Sequence, residues 1–188
     1  MRIIFLILLF TTSWALCQQG TRLIYLVRNA ETSAQTPDSP LTPAGERRAA
    51  CLASTMKEAG IKQIYVNDAK SAQQTANALA TQLKITPVVI PAKDPNTLIR
   101  DLMYAGGGNI LVVANADTLP FVVARLKAGT IPPLAAGEYN RLLITTVIEG
   151  GATQVSTLRY CDEGSHATET PKPAAKKKTS SPVPSKKP

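Results

Sequence analysis

Histidine is nearly absent from this sequence of 188 residues: the only one is His166, close to the C-terminus. Cysteine is scarce too, and its three positions show no CxxC or His/Cys spacing typical of a metal site. The apolar run at residues 3–10 is too short to cross a bilayer, which takes about 20 residues. We therefore expect no metal, no cofactor and no transmembrane segment in the mature chain.

The first 17 residues have the layout of a secretory signal peptide. Arg2 precedes the apolar run, and the small residues Ala15 and Cys17 fit the recognition positions before a cleavage site. We expect the mature chain to begin near Gln18 and to be exported, either to a periplasm or into the medium. Lipid attachment at Cys17 is the alternative, but it is disfavoured because Leu16 is bulky where such sites prefer a small residue.

Residues 162–188 consist largely of Pro, Lys, Ala, Ser and Thr, and this composition predicts a disordered tail. The tail has 6 basic and 3 acidic residues, whereas residues 18–161 have 14 and 10. Much of the net charge of +8 therefore lies outside the domain, and it does not indicate specific nucleic-acid binding. Two interpretations of the tail stay open: contact with an anionic surface, and a solvated spacer.

Residues 18–161 alternate between apolar strands and amphipathic helices, as expected for one α/β domain. Strands are predicted at 22–27, 63–66, 87–90 and 109–114, helices at 43–60, 71–83, 96–104 and 118–127, and a hairpin at 139–148 and 153–160. This order predicts a three-layer α/β/α sandwich with a mostly parallel central sheet and a C-terminal antiparallel hairpin. Such sheets bind ligands at the carboxyl ends of their strands, so the loops at 28–30 and 115–117 matter most.

Cys51 and Cys161 remain after the predicted cleavage. A disulfide between them is conceivable in an exported protein. However, Cys51 lies in an apolar helical pattern, and this favours its interpretation as a small buried hydrophobic residue.

Four segments of the domain, taken in order, resemble the histidine phosphatase superfamily, also called the phosphoglycerate mutase-like clan. They are "YLVRNAET", "PLTPAGERRA", "IYVNDAKSAQQTA" and "NILVVANADTLP". The resemblance covers roughly residues 22–126 and implies the phosphoglycerate mutase-like fold. In that family a histidine after the first strand attacks a phosphoryl group, and two arginines and a second histidine hold the phosphate oxygens. A carboxylic acid protonates the leaving alcohol.

Transferred by that resemblance, three of the family's positions hold other residues. The nucleophile position is Asn29, the second-histidine position is Asn115, and the helix-start arginine position is Ser71, beside Lys70. Only Arg28 keeps the family's identity among the phosphate-binding positions. The amide nitrogen of Asn29 cannot attack, because its lone pair is delocalised into the carbonyl group. We therefore expect no catalytic residue in this chain.

The same four residues, Arg28, Asn29, Ser71 and Asn115, could form a weak pocket for phosphate or a small phosphorylated ligand, since amides and hydroxyls donate hydrogen bonds. They could equally be a neutral polar cluster without a ligand. Three classes of function follow: an exported pseudophosphatase that binds anions, a weak phosphomonoesterase in which Asp117 or Glu31 orients water, and an interaction protein that does not use the pocket.

The family's proton-donating acid has no clear equivalent. Asp94 lies in a suitable stretch, but Asp94-Pro95 also marks a turn before a helix.

Overall fold

The structure, a computed structural model, describes residues 21–34, 36–148 and 151–161, without the side chains of 151–153. The predicted signal peptide, residues 1–17, and the predicted tail, residues 162–188, lie outside the described residues and stay predictions.

Six strands and four helices make up the described domain. The strands are β1 (Arg22–Arg28), β2 (Ile61–Asn67), β3 (Val88–Ile90), β4 (Asn109–Ala114), β5 (Arg141–Ile148) and β6 (Gly151–Arg159). The helices are α1 (Pro43–Met56), α2 (Lys70–Leu83), α3 (Pro95–Tyr104) and α4 (Thr118–Arg125). Each predicted element is present, and about half of the ends differ from the prediction, by one to four residues, because element ends are the least predictable part of a helix or strand.

The strands form one sheet in the order β3-β2-β4-β1-β5-β6. β3, β2, β4 and β1 are parallel, and β5 and β6 add an antiparallel hairpin beside β1. Helices α1 and α2 pack on one face of the sheet, and α3 and α4 on the other, each through its own apolar core. The predicted three-layer sandwich is therefore confirmed.

Local sequence explains where the first helix begins. The side-chain oxygen of Thr42 accepts a hydrogen bond from the backbone N–H of Gly45, and Pro43 occupies the first helical turn, where no backbone N–H is needed. This cap fixes the direction in which α1 leaves the loop after β1. The start of α1 therefore lies beside the loop after β1, at the edge of the sheet where a site is expected.

The apolar helical pattern around Cys51 favours an unpaired, buried cysteine, and this interpretation is wrong. Cys51 forms a disulfide with Cys161, which follows β6, and the bond spans 110 residues of sequence. The apolar pattern was misleading because Cys51 is only half-buried on α1, where its sulfur meets the end of the hairpin. The disulfide fastens the end of the domain to the helix that supports the first loop.

Within the described ranges, no helix is both long enough and apolar enough to span a membrane. In the same part of the chain, no three His, Cys, Asp or Glu side chains are grouped as metal ligands would be.

Candidate functional site

The loop after β1 lies at the carboxyl end of the parallel strands. Arg28 pairs with Ala114 at the ends of β1 and β4, and the backbone N–H of Asn29 donates to the carbonyl oxygen of Ala114 at 3.0 Å. Asn29 and Asn115 therefore follow paired residues on neighbouring strands. The side chain of Asn29 is half-buried, and its Nδ2 donates to the carbonyl oxygen of Ala30 at 3.3 Å.

Asn115 is exposed, and its amide is tied to the next strand. Its Oδ1 accepts a hydrogen bond of 2.8 Å from Nδ2 of Asn67, a buried residue at the end of β2. Asn67 in turn accepts from the backbone N–H of Ala69 through its own Oδ1, at 3.2 Å. An amide side chain therefore lies at the carboxyl end of each of three adjacent strands: Asn67 at β2, Asn115 at β4 and Asn29 at β1. The family resemblance implies histidines at the positions of Asn29 and Asn115. Amides donate and accept hydrogen bonds but carry no charge and no nucleophilic nitrogen.

Ser71 lies in the first turn of α2 and is 3% exposed, whereas Lys70 beside it is solvent-exposed. The backbone N–H of Lys70 donates to the carbonyl oxygen of Pro37 at 2.9 Å. Helix N-termini attract anions through free N–H groups. The N–H groups of Lys70 and Ala69 already donate to Pro37 and Asn67. This helix N-terminus therefore has fewer free N–H groups for an anion than one without such contacts.

Thr75, within the third motif segment, holds the first loop in place. Its hydroxyl is fully buried, accepts a hydrogen bond of 2.9 Å from the backbone N–H of Ala30, and donates to the carbonyl oxygen of Ser71 at 2.7 Å. Its neighbour Gln74 accepts from the backbone N–H of Leu41 at 3.0 Å. The third segment is therefore connected to both the first and the second.

Gly45, in the second segment, allows α1 to touch the first loop. A Cβ at this position would lie 2.3 Å from the carbonyl oxygen of Glu31, so no side chain fits there. The same carbonyl accepts the backbone N–H of Thr42 at 2.9 Å. This close approach of two main chains explains why glycine is needed in "PLTPAGERRA".

Glu31 serves the scaffold in this structure. Arg48 of α1 donates to both carboxylate oxygens, with Nε–Oε1 at 2.8 Å, Nε–Oε2 at 3.0 Å and Nη2–Oε1 at 2.6 Å. Arg48 also donates to the carbonyl oxygen of Cys161 at 3.2 Å. Tyr160 is buried in this region, and burial raises the pKa of its phenol, so it stays neutral. The ion pair between Glu31 and Arg48, with the bond from Arg48 to Cys161, links the first loop, α1 and the end of the hairpin.

Arg28, whose family counterpart holds phosphate, donates to main-chain carbonyl groups here. Its Nη1 lies 3.1 Å from the carbonyl oxygen of Ala135, 2.8 Å from that of Ala136 and 3.4 Å from that of Glu138. The guanidinium also stacks on the ring of Tyr139, with its central carbon 4.1 Å from the ring centroid. We name residues 135–139 the 135–139 cap. Arg28 is only 8% exposed beneath it.

The 135–139 cap is fixed to the hairpin by ion pairs. The carboxylate of Glu138 accepts hydrogen bonds from Nε and Nη2 of Arg141 at 2.9 and 2.6 Å, and from the backbone N–H of Ala135 at 3.2 Å. Arg159 lies 3.2 Å from the same carboxylate. The hydrogen bond from Arg141 is the main reason that the pKa of Glu138 lies below its ordinary value.

Asp94 caps α3. Its Oδ1 accepts from the backbone N–H of Thr97 at 3.2 Å, and its Oδ2 accepts from the hydroxyl of Thr97 at 2.7 Å. The hydrogen bond from the Thr97 side chain lowers the pKa of Asp94, so this exposed carboxyl is ionised at neutral pH. A general acid needs the opposite shift. The turn-and-cap interpretation of Asp94-Pro95 therefore describes this residue.

One small cavity lies near the carboxyl ends of β2, β3 and β4, below α3 and α4. Its volume is about 10 Å³, and its lining includes Asn67, Ile90, Leu98 and Thr118. That volume is roughly the space of one water molecule. It is too small to enclose a phosphorylated ligand.

Sequence reasoning missed three features of this site. Thr75 and Asn67 lie inside a motif segment, so their burial at the site could have been suspected from that segment. The 135–139 cap has no such signal, because it lies in an irregular stretch between α4 and β5 without a motif or a periodic pattern. Its contact with Arg28 spans more than 100 residues of sequence.

Comparison with known families and structures agrees with the motif resemblance. The model of the histidine phosphatase superfamily (branch 1) matches residues 24–93, which contain the first three motif segments. No curated protein sequence matches the chain.

Several solved structures share the fold. The α-ribazole phosphatase from Shigella flexneri aligns with a TM-score of 0.59 at 16% identity, over 70% of this chain and 94% of that one. A phosphoserine phosphatase from Entamoeba histolytica, in complex with 3-phosphoglyceric acid, gives 0.56 at 14% identity, over 74% and 96%. Phosphoglycerate mutase from Plasmodium falciparum gives 0.54 at 18% identity, over 76% and 91%. At these identities the likeness establishes a shared fold.

Proposed function

Because the chain has the fold of the histidine phosphatase superfamily but asparagine at both histidine positions, we propose that it is an exported, catalytically inactive pseudophosphatase that retains a weak anion pocket. The observation that carries this proposal is the pair Asn29 and Asn115, which follow paired residues at the ends of β1 and β4. The only histidine of the sequence, His166, lies outside the described residues. No phosphohistidine can form at Asn29, so the family's covalent route is closed.

Anion binding is proposed for Arg28, Asn29, Ser71 and Asn115, and we expect it to be weak. Two amides and one arginine lie at the carboxyl ends of β1 and β4. One solved structure of the same fold, the phosphoserine phosphatase from Entamoeba histolytica, is a complex with 3-phosphoglyceric acid. However, Arg28 already donates to the carbonyl groups of the 135–139 cap. A phosphate must compete with these contacts, which lowers its net affinity.

Export is supported by the bond between Cys51 and Cys161. Structural disulfides persist in oxidising compartments such as a periplasm or the extracellular space and are rare in the cytosol of most organisms. The bond is therefore consistent with the predicted signal peptide. The proposed partner is a phosphate or a small phosphorylated ligand. For the tail, contact with an anionic surface and a solvated spacer both stay open.

Turnover of an aryl phosphate by the purified full-length chain tests the proposal. We expect no hydrolysis above the uncatalysed rate, and no covalent phosphate on the protein after rapid acid quench. Turnover that is lost in Arg28→Met but kept in Asn29→Ala would contradict the proposal and favour a water-mediated phosphomonoesterase. Arg125→Met is the matched control for the arginine substitution, because Arg125 is exposed, stacks on Phe121 and donates to Asn96, neither of which is a proposed site residue.

The triple variant Asn29→His, Ser71→Arg, Asn115→His tests the assignment of these positions. We expect it to gain phosphatase activity, since it restores the nucleophile and two phosphate-binding groups. Ser71 is buried, so an arginine there has to displace its neighbours. The double variant Asn29→His, Asn115→His is therefore measured beside it. If neither variant turns over an aryl phosphate while both remain folded, the assigned positions do not form a site.

Inorganic phosphate separates anion binding from an interaction role that is independent of the pocket. We expect phosphate at tens of millimolar to raise the melting temperature of the wild type slightly, and Arg28→Met to remove the increase. If phosphate and sulfate leave the melting curve unchanged, the domain acts through another surface.

A further inference from the structure

Carbonyl groups of the 135–139 cap bind the guanidinium of Arg28, which is the group that an anion would also bind. Three main-chain carbonyl oxygens, those of Ala135, Ala136 and Glu138, lie within 3.4 Å of one nitrogen of Arg28. The guanidinium also stacks on the ring of Tyr139. Carbonyl oxygens and an aromatic face both offer partial negative charge to a cation. The cap thus supplies from within the chain the kind of partner that an anion would supply from solution.

A phosphate can replace the cap carbonyl groups as the partner of Arg28. A neutral carbonyl group forms a weaker hydrogen bond with a guanidinium than a charged phosphate oxygen does, and arginine can bind phosphate through two parallel bonds. The cap includes a turn closed by a hydrogen bond of 3.0 Å from the N–H of Glu138 to the carbonyl oxygen of Ala135. It has no place in the sheet and none in a helix. The cap can therefore leave Arg28 without breaking regular secondary structure.

The attachment of the cap is concentrated at one side chain. Glu138 connects the turn to Arg141, which is 9% exposed, and to Arg159. Arg141 also donates to the carbonyl oxygen of Pro132 at 2.8 Å, just ahead of the cap. The closed position therefore depends on contacts made by two adjacent residues: the ion pairs of Glu138 and the stack of Tyr139 on Arg28.

We propose that the 135–139 cap is an internal competitor that regulates anion access to Arg28. This inference rests on the proposed anion site. In the closed state Arg28 donates to the cap carbonyls, and in the open state it is available to phosphate. The apparent affinity for phosphate then equals the affinity of the open state multiplied by the fraction of molecules that are open. Weakening the cap should raise that fraction and tighten binding.

The first test uses inorganic phosphate and calorimetric titration of the full-length chain. Tyr139→Leu removes the ring stack and the phenol but keeps an apolar side chain, and we expect it to tighten phosphate binding by about fivefold or more. Tyr104→Leu is the matched control, because Tyr104 is 82% exposed and lies at the end of α3, and it should leave the affinity unchanged. Adding Arg28→Met to Tyr139→Leu should abolish the gain.

Three results would overturn the proposal: equal affinity in Tyr139→Leu and wild type, a gain of the same size in Tyr104→Leu, or a gain that survives Arg28→Met. Glu138→Gln provides a second variant for the same titration and should also tighten binding. If either variant fails to fold, amide hydrogen exchange of the wild type decides, since saturating phosphate should speed exchange within residues 135–139. Unchanged exchange under phosphate contradicts the proposal.

The outcome is separate from that of the proposed function. Catalytic inactivity is contradicted by turnover in the wild type, whatever the cap does. The cap proposal is contradicted by affinities that do not respond to Tyr139 or Glu138, even if the chain is inactive.

Discussion

The two halves of this domain contribute differently to the same edge of the sheet. Residues 24–93, which match the family model, contain a connected set of hydrogen bonds donated by main-chain N–H groups: Ala30 to Thr75, Thr42 to Glu31, and Leu41 to Gln74. Residues 94–161 supply Asn115 and the 135–139 cap that takes up Arg28. None of the first set of contacts requires a histidine. A phosphatase-like loop can therefore keep its shape without the reactive groups, whereas the state of its arginine depends on the other half.

The disulfide joins the two halves, and its removal should have the largest effect. Cys51 and Cys161 are 110 residues apart in sequence, and closing a loop of that length restricts the unfolded chain strongly. We expect the double variant Cys51→Ala, Cys161→Ala to lose about 4 kcal/mol of unfolding free energy in urea. Reductant should destabilise the wild type similarly and leave the variant unaffected. Equal urea midpoints with and without reductant would show that the bond does not connect the halves.

A methyl group added at Gly45 should break the contact within the first half. The new Cβ would lie 2.3 Å from the carbonyl oxygen of Glu31, a main-chain atom that cannot move aside alone. We expect Gly45→Ala to cost about 3 kcal/mol in chemical denaturation. Gly137→Ala, in the cap, is the matched control, because no heavy atom lies within 4 Å of its added Cβ. Its cost should be within about 0.5 kcal/mol, and similar costs at both positions would refute the tight approach at Gly45.

Loss of the Glu138 charge should have a smaller effect, confined to the second half and dependent on pH. Hydrogen bonding from Arg141 holds the pKa of Glu138 below its ordinary value of 4.5. The stabilisation is thus fully present above about pH 4.5 and is lost as the pH falls through the lower folded pKa. We expect Glu138→Gln to cost about 2 kcal/mol at pH 7, measured by urea unfolding. The difference from wild type should shrink near pH 3. A difference of constant size would mean that the carboxylate charge is not involved.

Much of the fold and part of the site could be predicted from the sequence. The strand and helix order follows from local apolar periodicity, and the start of α1 follows from Thr42 and Pro43, whose effects act within a few residues. The resemblance identified Arg28, Asn29, Ser71 and Asn115 because they lie in ordered motif segments. The sequence analysis considered Glu31 as a residue that could orient water, and its pairing with Arg48 could not be predicted from either residue alone.

The sequence by itself determined which chemical groups are at hand: one arginine, two amides and a hydroxyl at the motif positions, with no histidine among residues 18–161. This limits the chemistry of the site irrespective of geometry, since an amide cannot become a phosphorylated intermediate. Only the tertiary structure decided what those groups bind. The bond between Cys51 and Cys161, and the carbonyl oxygens around Arg28, each join residues more than 100 positions apart. Such contacts depend on how the chain is folded, because no local pattern of residue types encodes which distant carbonyl a guanidinium will meet.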